Sequence, residues 1–427
     1  MKVYLDMVGC RLNQSEIESY ARQFRAAGHT LTPTPEGADL VVVNTCAVTA
    51  AAASDSRQKI RQAQRAGAQQ IVVTGCWSTL QPRSAASLPG VTRVVPNRLK
   101  DRLVPDLLQM PQEIFDLEPL ARQPIPGARL RTRAFVKVQD GCDNRCTFCI
   151  TTLARGAGRS RPIPAVLTDV RGCLEGGAQE IVLTGVHLGS WGQDLSPRQS
   201  LRHLVQAILS ETDTPRLRFS SLEPWDLDDS FFELWQDRRL CRHLHLPLQS
   251  GCAATLRRMA RQTTPETFTS LVAAARASIP GVAVTTDVIA GFPGEDESEF
   301  EESLQFIKAM QFAGGHVFTY SARPGTVAAR LPAQVPHPVR KERSARLRQA
   351  LAEAARVFRE GFLGAELAVL WESATSLDPS GWQVSGLSDN ALRVRARVPS
   401  RLWNEITLVR LIALEGDELI GTIVESI

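Results

Sequence analysis

Short apolar runs alternate with segments of helical spacing over the first hundred residues. Residues 2–8, 39–45 and 70–75 read as buried strands, and 14–27 and 49–66 have helical character. Such alternation predicts a parallel, doubly wound sheet. Each strand runs out at a cysteine: Cys10, Cys46 and Cys76. In open α/β sheets that edge is where ligand crevices form. A single free cysteine is most often a small buried hydrophobe. Three at equivalent positions in successive units point instead to convergence on one cluster. Between 105 and 126 prolines punctuate the chain and periodicity fades, so a first domain is expected over 1–120.

Six further strands are predicted at 134–138, 180–184, 216–220, 243–248, 282–289 and 316–320. Helical segments such as 201–209, 268–277 and 299–310 separate them. Six βα units suggest a partial (β/α)6 barrel, here over 128–362, open along one side, with its chemistry at the carboxyl ends of the strands. Residues 339–362 read as a basic amphipathic helix with Leu347, Leu351, Ala354, Phe358 and Phe362 on one side. Five strand candidates follow, at 366–372, 381–385, 390–398, 406–413 and 418–424, which suits a small oligonucleotide-binding β-barrel over 364–427. The whole is an α/β chain of three parts. In the third of these strands Arg393, Arg395 and Arg397 alternate with Leu392, Val394, Ala396 and Val398. That offers a row of guanidiniums to phosphates, or an ordinary solvated face.

Cys142, Cys146 and Cys149 stand in a C-x₃-C-x₂-C spacing on one loop. Three thiolates there can grip three corners of a cubane iron–sulfur cluster and leave the fourth iron open. Closed zinc sites want four ligands in paired knuckles, so zinc suits the loop poorly. Gly185, after a strand, can let backbone approach a ligand or simply make a turn. Glu223 at a strand end can accept hydrogen bonds from a cofactor or stand solvated. His243 and His245 share one strand face; pocket lining suits them better than a two-histidine metal site. Arg155, Arg159 and Arg161 follow the cluster loop and suit substrate phosphates or surface ion pairs. Cys173, Cys241 and Cys252 lack partner spacing and read as structural.

Composition narrows the setting. The 427 residues carry nine cysteines and a net charge of +4, with 43% hydrophobic and 22% charged residues. This is an ordinary soluble balance. Neither a leader nor an apolar run near the ~18–20 residues of a membrane span is present, and unpaired cysteines fit a reducing compartment, so a cytoplasmic protein is expected. The charge alone does not prove a nucleic-acid partner.

The three-cysteine loop, with the aromatic Phe148 before its last thiol, resembles the signature of the radical S-adenosylmethionine superfamily. In that superfamily the open iron binds S-adenosylmethionine, and one electron splits it to give a deoxyadenosyl radical. The flanks Phe135-Val-Lys-Val-Gln-Asp-Gly-Cys142 and Cys149-Ile-Thr-Thr-Leu-Ala-Arg155 resemble the methylthiotransferases, closest to the branch acting on N6-threonylcarbamoyladenosine at position 37 of tRNA. The family's proline after the last cysteine is replaced here by Thr151-Thr152. Gly9-Cys10-Arg11-Leu12-Asn13, Asn44-Thr45-Cys46 and Thr74-Gly75-Cys76 match the family's N-terminal domain. By that resemblance Cys10, Cys46 and Cys76 hold an auxiliary [4Fe-4S] cluster beside the one on Cys142, Cys146 and Cys149. The resemblance also implies S-adenosylmethionine contacts from Phe148, Gly185, Ser221, Glu223, Gln249, Asp287 and Ile289. It further implies a TRAM-like RNA-binding domain around Gly386-Leu-Ser-Asp-Asn390, two S-adenosylmethionine per turnover and an external electron donor. The expected substrate is the tRNA anticodon stem-loop, with no obligate protein partner. Rivals within the family act on N6-isopentenyladenosine-37 or on a ribosomal-protein aspartate; outside it stands a non-enzymatic Fe–S or RNA-binding protein.

Overall fold

The computed structural model describes residues 1–111, 115, 123, 125, 132–378 and 381–426. The first lobe is a five-stranded parallel sheet in the order β2-β1-β3-β4-β5: β1 Lys2–Met7, β2 Thr30–Leu31, β3 Leu40–Thr45, β4 Gln70–Gly75 and β5 Val91–Val95. Strand β3 shows why it is doubly wound. Leu40 and Val42 pack under helix α1 (Arg11–Ala26) with Ile17, Tyr20 and Phe24, while Val41 and Val43 pack on the opposite face with Ile60 of helix α2 (Ala50–Arg65). A strand buried on both faces needs an unbroken apolar run, which Leu-Val-Val-Val supplies.

Two strands escape the sequence pattern. β2 is only two residues long, and β5 is largely exposed apart from Val95. The expected break at 105–126 also needs correction at its start. Leu103–Leu108 is helical, takes Pro105 in its first turn, and adds Leu103 and Val104 to the first lobe's core. Most of the remainder of that stretch, with the expected boundaries at 120 and 128, lies outside the described residues.

The second lobe holds six parallel strands: β6 Arg133–Lys137, β9 Glu180–Thr184, β10 Leu217–Phe219, β11 His243–His245, β12 Ala283–Ala290 and β13 Gly314–Thr319. A small antiparallel pair, β7 Gln139–Asp140 with β8 Arg159–Ser160, lies between the first two. The strands form two parallel ladders, β6-β9-β10 and β11-β12-β13. Isolated bridges Leu217–Leu240 and Ser221–His245 join them. The result is the expected six-unit partial barrel. β11 stops at His245, three residues short of expectation, just before Leu246-Pro247, since proline cannot extend the ladder. The free edge of β6 is not left bare. Helix α1 packs along it, and the Lys137 backbone N–H donates to Ser15 Oγ at 3.0 Å.

The helix His337–Glu360 packs Leu347 and Leu351 into the second lobe's core, and Phe358 near its end against the third lobe. That lobe is a closed barrel in the order β14-β15-β16-β18-β17: β14 Glu366–Asp378, β15 Gly381–Ser388, β16 Arg393–Val398, β17 Ile406–Glu415 and β18 Glu418–Ser426. β16 starts three residues later than expected because Ala391 turns the chain at φ +62°. The Gly386–Asn390 stretch serves to dock this barrel on the second lobe. Asp389 pairs with both Nε and Nη2 of Arg242 at 2.6 and 3.0 Å, the Asn390 amide donates to Gly281 O, and Arg218 donates to Ser388 O. Among the described residues no helix is long and apolar enough to cross a membrane.

Candidate functional site

Parallel register sets the first triad. Met7 stands level with Asn44, and Thr45 with Gly75, so three strand tips end side by side. Cys10 precedes α1, Cys46 follows β3, and Cys76 opens the short helix Cys76–Leu80. Two glycines allow the close approach. Gly9 has φ +108°, and a Cβ there would meet Cys46 Sγ at 2.8 Å; Gly75 has φ +99°, and a Cβ there would meet Thr45 O at 2.3 Å. Burial pushes the Cys46 thiol up to about 11, and it lies close enough to Cys76 and Cys10 to feel their charge. The three cysteines thus stand near one another at one edge of the sheet. Asn97 donates to Cys76 Sγ at 3.7 Å, and Cys10 Sγ lies 3.9 Å from Asn13 Oδ1.

The second triad sits on the loop after β7. Gly141 brings that loop against Gly156 and Ala157, where a Cβ would meet Ala157 O at 1.9 Å, and Cys142 N donates to Gly156 O. Thr147 anchors its middle through Arg258 O and Met259 O. Two cationic side chains reach the thiols. Arg261 Nη1 lies 3.8 Å from Cys146 Sγ while the same guanidinium grips Glu223 at 2.7 Å and stacks 4.5 Å over Trp225. Burial pushes Cys146 up and Arg261 pulls it part of the way back. His187 bonds both Cys142 and Asp226, the latter at 2.6 Å; burial disfavours its charged form, but these bonds lift it to about 10.

A sealed ion cluster joins the triads. Glu16 on α1 meets Lys100 and Arg155; Asp140 on β7 meets Arg155 at 2.9 Å and Lys100 at 3.2 Å. Burial alone would raise Glu16, but Lys100, Arg155 and Lys137 hold it at about 2, and the same cations keep Asp140 lower still. Arg155 also donates to Asn13 Oδ1 at 2.8 Å, and Asn97 bonds Ala154 O as well as Cys76.

The expected residues divide. Arg155 is 3% exposed and is an internal tie, so it is not placed to meet substrate phosphates; Arg161 pairs with Asp169, and Arg159 stays half in solvent near Asp140. Glu223 holds Arg261 through one carboxylate oxygen, and Ser221 bridges to His245. Gly185 makes room for Gln139, whose Oε1 accepts from the N–H groups of Val186 and His187. Asp287 faces His245 at 3.3 Å, and Gln249, at φ +74°, bridges to Val288. Phe148 and Ile289 pack together against Met259, Phe292 and Tyr320. His243 and His245 share Thr285 Oγ1 at 2.9 Å each. Cys173 contacts Arg22, Cys241 is pushed by burial to about 12 and lies 3.7 Å from Glu180, and Cys252 is buried. On β16, Arg395 pairs with Glu415 at 2.7 Å and Arg393 lies 3.6 Å from Glu372, while Arg397 is exposed and, among the described residues, has no ion pair. Sequence reasoning missed Arg261, His187 and Asn97, which lie in no periodic or cysteine-bearing motif.

Residues 2–95 match the Uncharacterized protein family UPF0004, and residues 136–307 match the Radical SAM superfamily. The Bacillus subtilis protein named Threonylcarbamoyladenosine tRNA methylthiotransferase MtaB is 34% identical over 95% of this chain and 92% of its own. The chain belongs to the radical S-adenosylmethionine methylthiotransferase family. The Thermotoga maritima protein of the same name is also 34% identical, over 87% of this chain and 86% of its own. A tRNA-2-methylthio-N(6)-dimethylallyladenosine synthase of Cereibacter sphaeroides is 32% identical over 98% of both chains. The fold is shared more widely. The radical S-adenosylmethionine methyltransferase TsrM of Kitasatospora setae superposes with a TM-score of 0.58 at 15% identity, covering 77% of this chain and 75% of its own. As a methylthiotransferase of this family the protein is an enzyme that uses an iron–sulfur cluster and S-adenosylmethionine.

The donor chemistry fits such a group. Each triad is made of thiols alone, and among the described residues no three His, Cys, Asp or Glu side chains converge tightly enough for a single metal ion. Thiolate is the usual ligand of iron–sulfur clusters, and bound iron reverses the burial penalty that keeps Cys46 protonated.

Proposed function

We propose that this enzyme converts N6-threonylcarbamoyladenosine at position 37 of tRNA to its 2-methylthio derivative. Cys142, Cys146 and Cys149 would hold the [4Fe-4S] cluster that meets S-adenosylmethionine, and Cys10, Cys46 and Cys76 a second. When bound, these groups supply a carbon-centred radical and a sulfur atom, with two S-adenosylmethionine and an external reductant consumed per turnover. The chain's own work is placement. Arg261 and His187 donate to the loop thiols and fix their orientation, while Phe148 and Ile289 wall off water. Arg155 and Asn97 lock the two triads at one distance, which preorganises a two-centre reaction. That double tie across the lobes supports the two-centre chemistry, and the 34% identity over 95% of the chain to a protein named for threonylcarbamoyladenosine is the observation that carries the substrate. The closed five-stranded terminal barrel, read here as the TRAM-like domain, would present Arg397 and its neighbours to the anticodon stem-loop.

Nucleoside mass spectrometry tests the reading. tRNA from a strain lacking the gene should lose methylthio-threonylcarbamoyladenosine and keep its unthiolated precursor; an unchanged level refutes the assignment. The relatives named for dimethylallyladenosine support a second reading, which predicts loss of the methylthio-isopentenyl nucleoside in the same sample. Replacing Cys10, Cys46 or Cys76 with alanine should abolish methylthiolation yet leave reductive cleavage of S-adenosylmethionine.

A further inference from the structure

Strand alternation turns Arg133, Glu180, Arg218, His243, His245 and Asp287 toward the inside of the barrel, opposite the apolar residues beneath the helices. Most of these charges are matched. Arg218 grips Glu180 through two bonds at 2.7 and 3.0 Å, Arg133 reaches Glu372 at 2.6 Å, and His245 faces Asp287. Nevertheless Ser220 Oγ, His243 Nδ1, Arg218 Nη1 and Asp287 Oδ1 are sealed from solvent with no partner. Ser220, Arg218 and His243 are each more than nine-tenths buried. An unpaired buried polar atom is costly, so several in one lumen call for a polar partner, a bound ligand or ordered water.

Arg11 enters the same lumen from the other lobe. It opens α1 directly after Cys10, its guanidinium lies 5.8 Å from the centre of the Phe135 ring, and it stands within charge range of Arg133, Arg218, Glu180 and Asp287. It stays exposed, and among the described residues no acid lies within ion-pair distance of it. A guanidinium with open donors, set among matched charges, suits a planar carboxylate.

We propose that this lumen is the recognition site for the N6 substituent, with Arg11 binding the threonyl carboxylate and the unpartnered lumen atoms meeting its hydroxyl and urea. The inference rests on the substrate reading above and assigns it to residues. A dimethylallyl group would bring only carbon to these polar atoms and leave them unpaired, and sites built to hydrogen-bond reject analogues that lack the group. Arg11 therefore acts in specificity, at the mouth beside Cys10.

The test uses cluster-loaded enzyme and fluorescent anticodon stem-loops carrying either threonylcarbamoyladenosine or its threonyl methyl ester. Anisotropy should show the acid binding at least ~10-fold tighter than the ester, the step expected of a charge-assisted pair. In Arg11→Gln that preference should shrink to within about twofold, with ester binding unchanged, while Arg11→Lys should retain part of it. Iron content and circular dichroism matching wild type would show that the variants fold. Equal wild-type affinity for acid and ester, or an undiminished preference in Arg11→Gln, overturns the inference. If in either case the wild type still methylthiolates the threonylcarbamoyl loop, the substrate reading survives alone. Methylthiolation of the dimethylallyl loop only, or of a protein and neither loop, brings down the reading and the inference with it.

Discussion

The Arg155 guanidinium donates to Asn13 Oδ1 at 2.8 Å. One residue lies six positions after Cys149 and the other three after Cys10, so this bond measures the spacing between the two sets of thiols. Arg155 is also held by Glu16 and Asp140, which makes it the corner at which the lobes are fastened.

Removing that corner should be expensive. Arg155→Ala leaves two buried carboxylates with Lys100 and Lys137, and for Asp140 the half-exposed Arg159, against them, and breaking a buried pair on one side costs about 3–5 kcal/mol. Urea denaturation should show a loss of that size, and methylthiolation should fall further than cleavage of S-adenosylmethionine because the spacing is lost. Equal loss of both activities in a stable variant would contradict the spacing role.

Acid should loosen the same seam. Glu16 is held at about 2 against an ordinary value of 4.5 by Lys100, Arg155 and Lys137, and Glu180 at about 2 by Arg218. A depressed carboxylate contributes stability that is fully present above about pH 4.5 and drains away as pH falls through 2. Each group is worth of order 3 kcal/mol. Urea midpoints measured between pH 6 and 2.5 should decline mainly below 4.5, with Glu16→Gln showing a shallower decline. An unchanged slope in Glu16→Gln would mean that this carboxylate is not ionised as described.

Gly9→Ala should injure one triad and spare the other. The new Cβ would press on Cys46 Sγ at 2.8 Å, and φ +108° is strained for alanine, at a cost of about 1–3 kcal/mol. Iron bound per chain should drop toward half after anaerobic loading, while S-adenosylmethionine cleavage persists. Full iron content would show that the first triad tolerates the intrusion.

RNA binding should depend unequally on the β16 arginines. Arg395 is already matched by Glu415, whereas Arg397 is open. Arg397→Gln should weaken stem-loop binding more than Arg395→Gln and lower the salt slope by about 0.7, the value for one phosphate contact on a single strand. Titrations at several salt concentrations decide it.

The six thiols were legible because their signals are local: a contiguous spacing in one case, strand tips in the other. What the sequence concealed depends on partners far along the chain. Arg155 beside the cysteine loop looks like a phosphate contact until Glu16, 139 positions away, is found against it. Arg261 meets Cys146 across 115 positions. Arg11 is hidden because the helical spacing in the sequence begins only at residue 14, whereas the helix starts at Arg11. The Gly386–Asn390 stretch carries a family resemblance, but its use, clasping Arg242 and Gly281, is a matter of packing between lobes.

Helix α1 along β6, with Ser15 accepting from Lys137, gives the second lobe a wall it does not encode for itself. A truncated protein beginning near residue 132 would expose a raw row of strand donors and acceptors, the kind that zips one copy onto another. Clumping of that fragment, relieved by supplying residues 1–111 in trans, is the behaviour such a borrowed wall dictates.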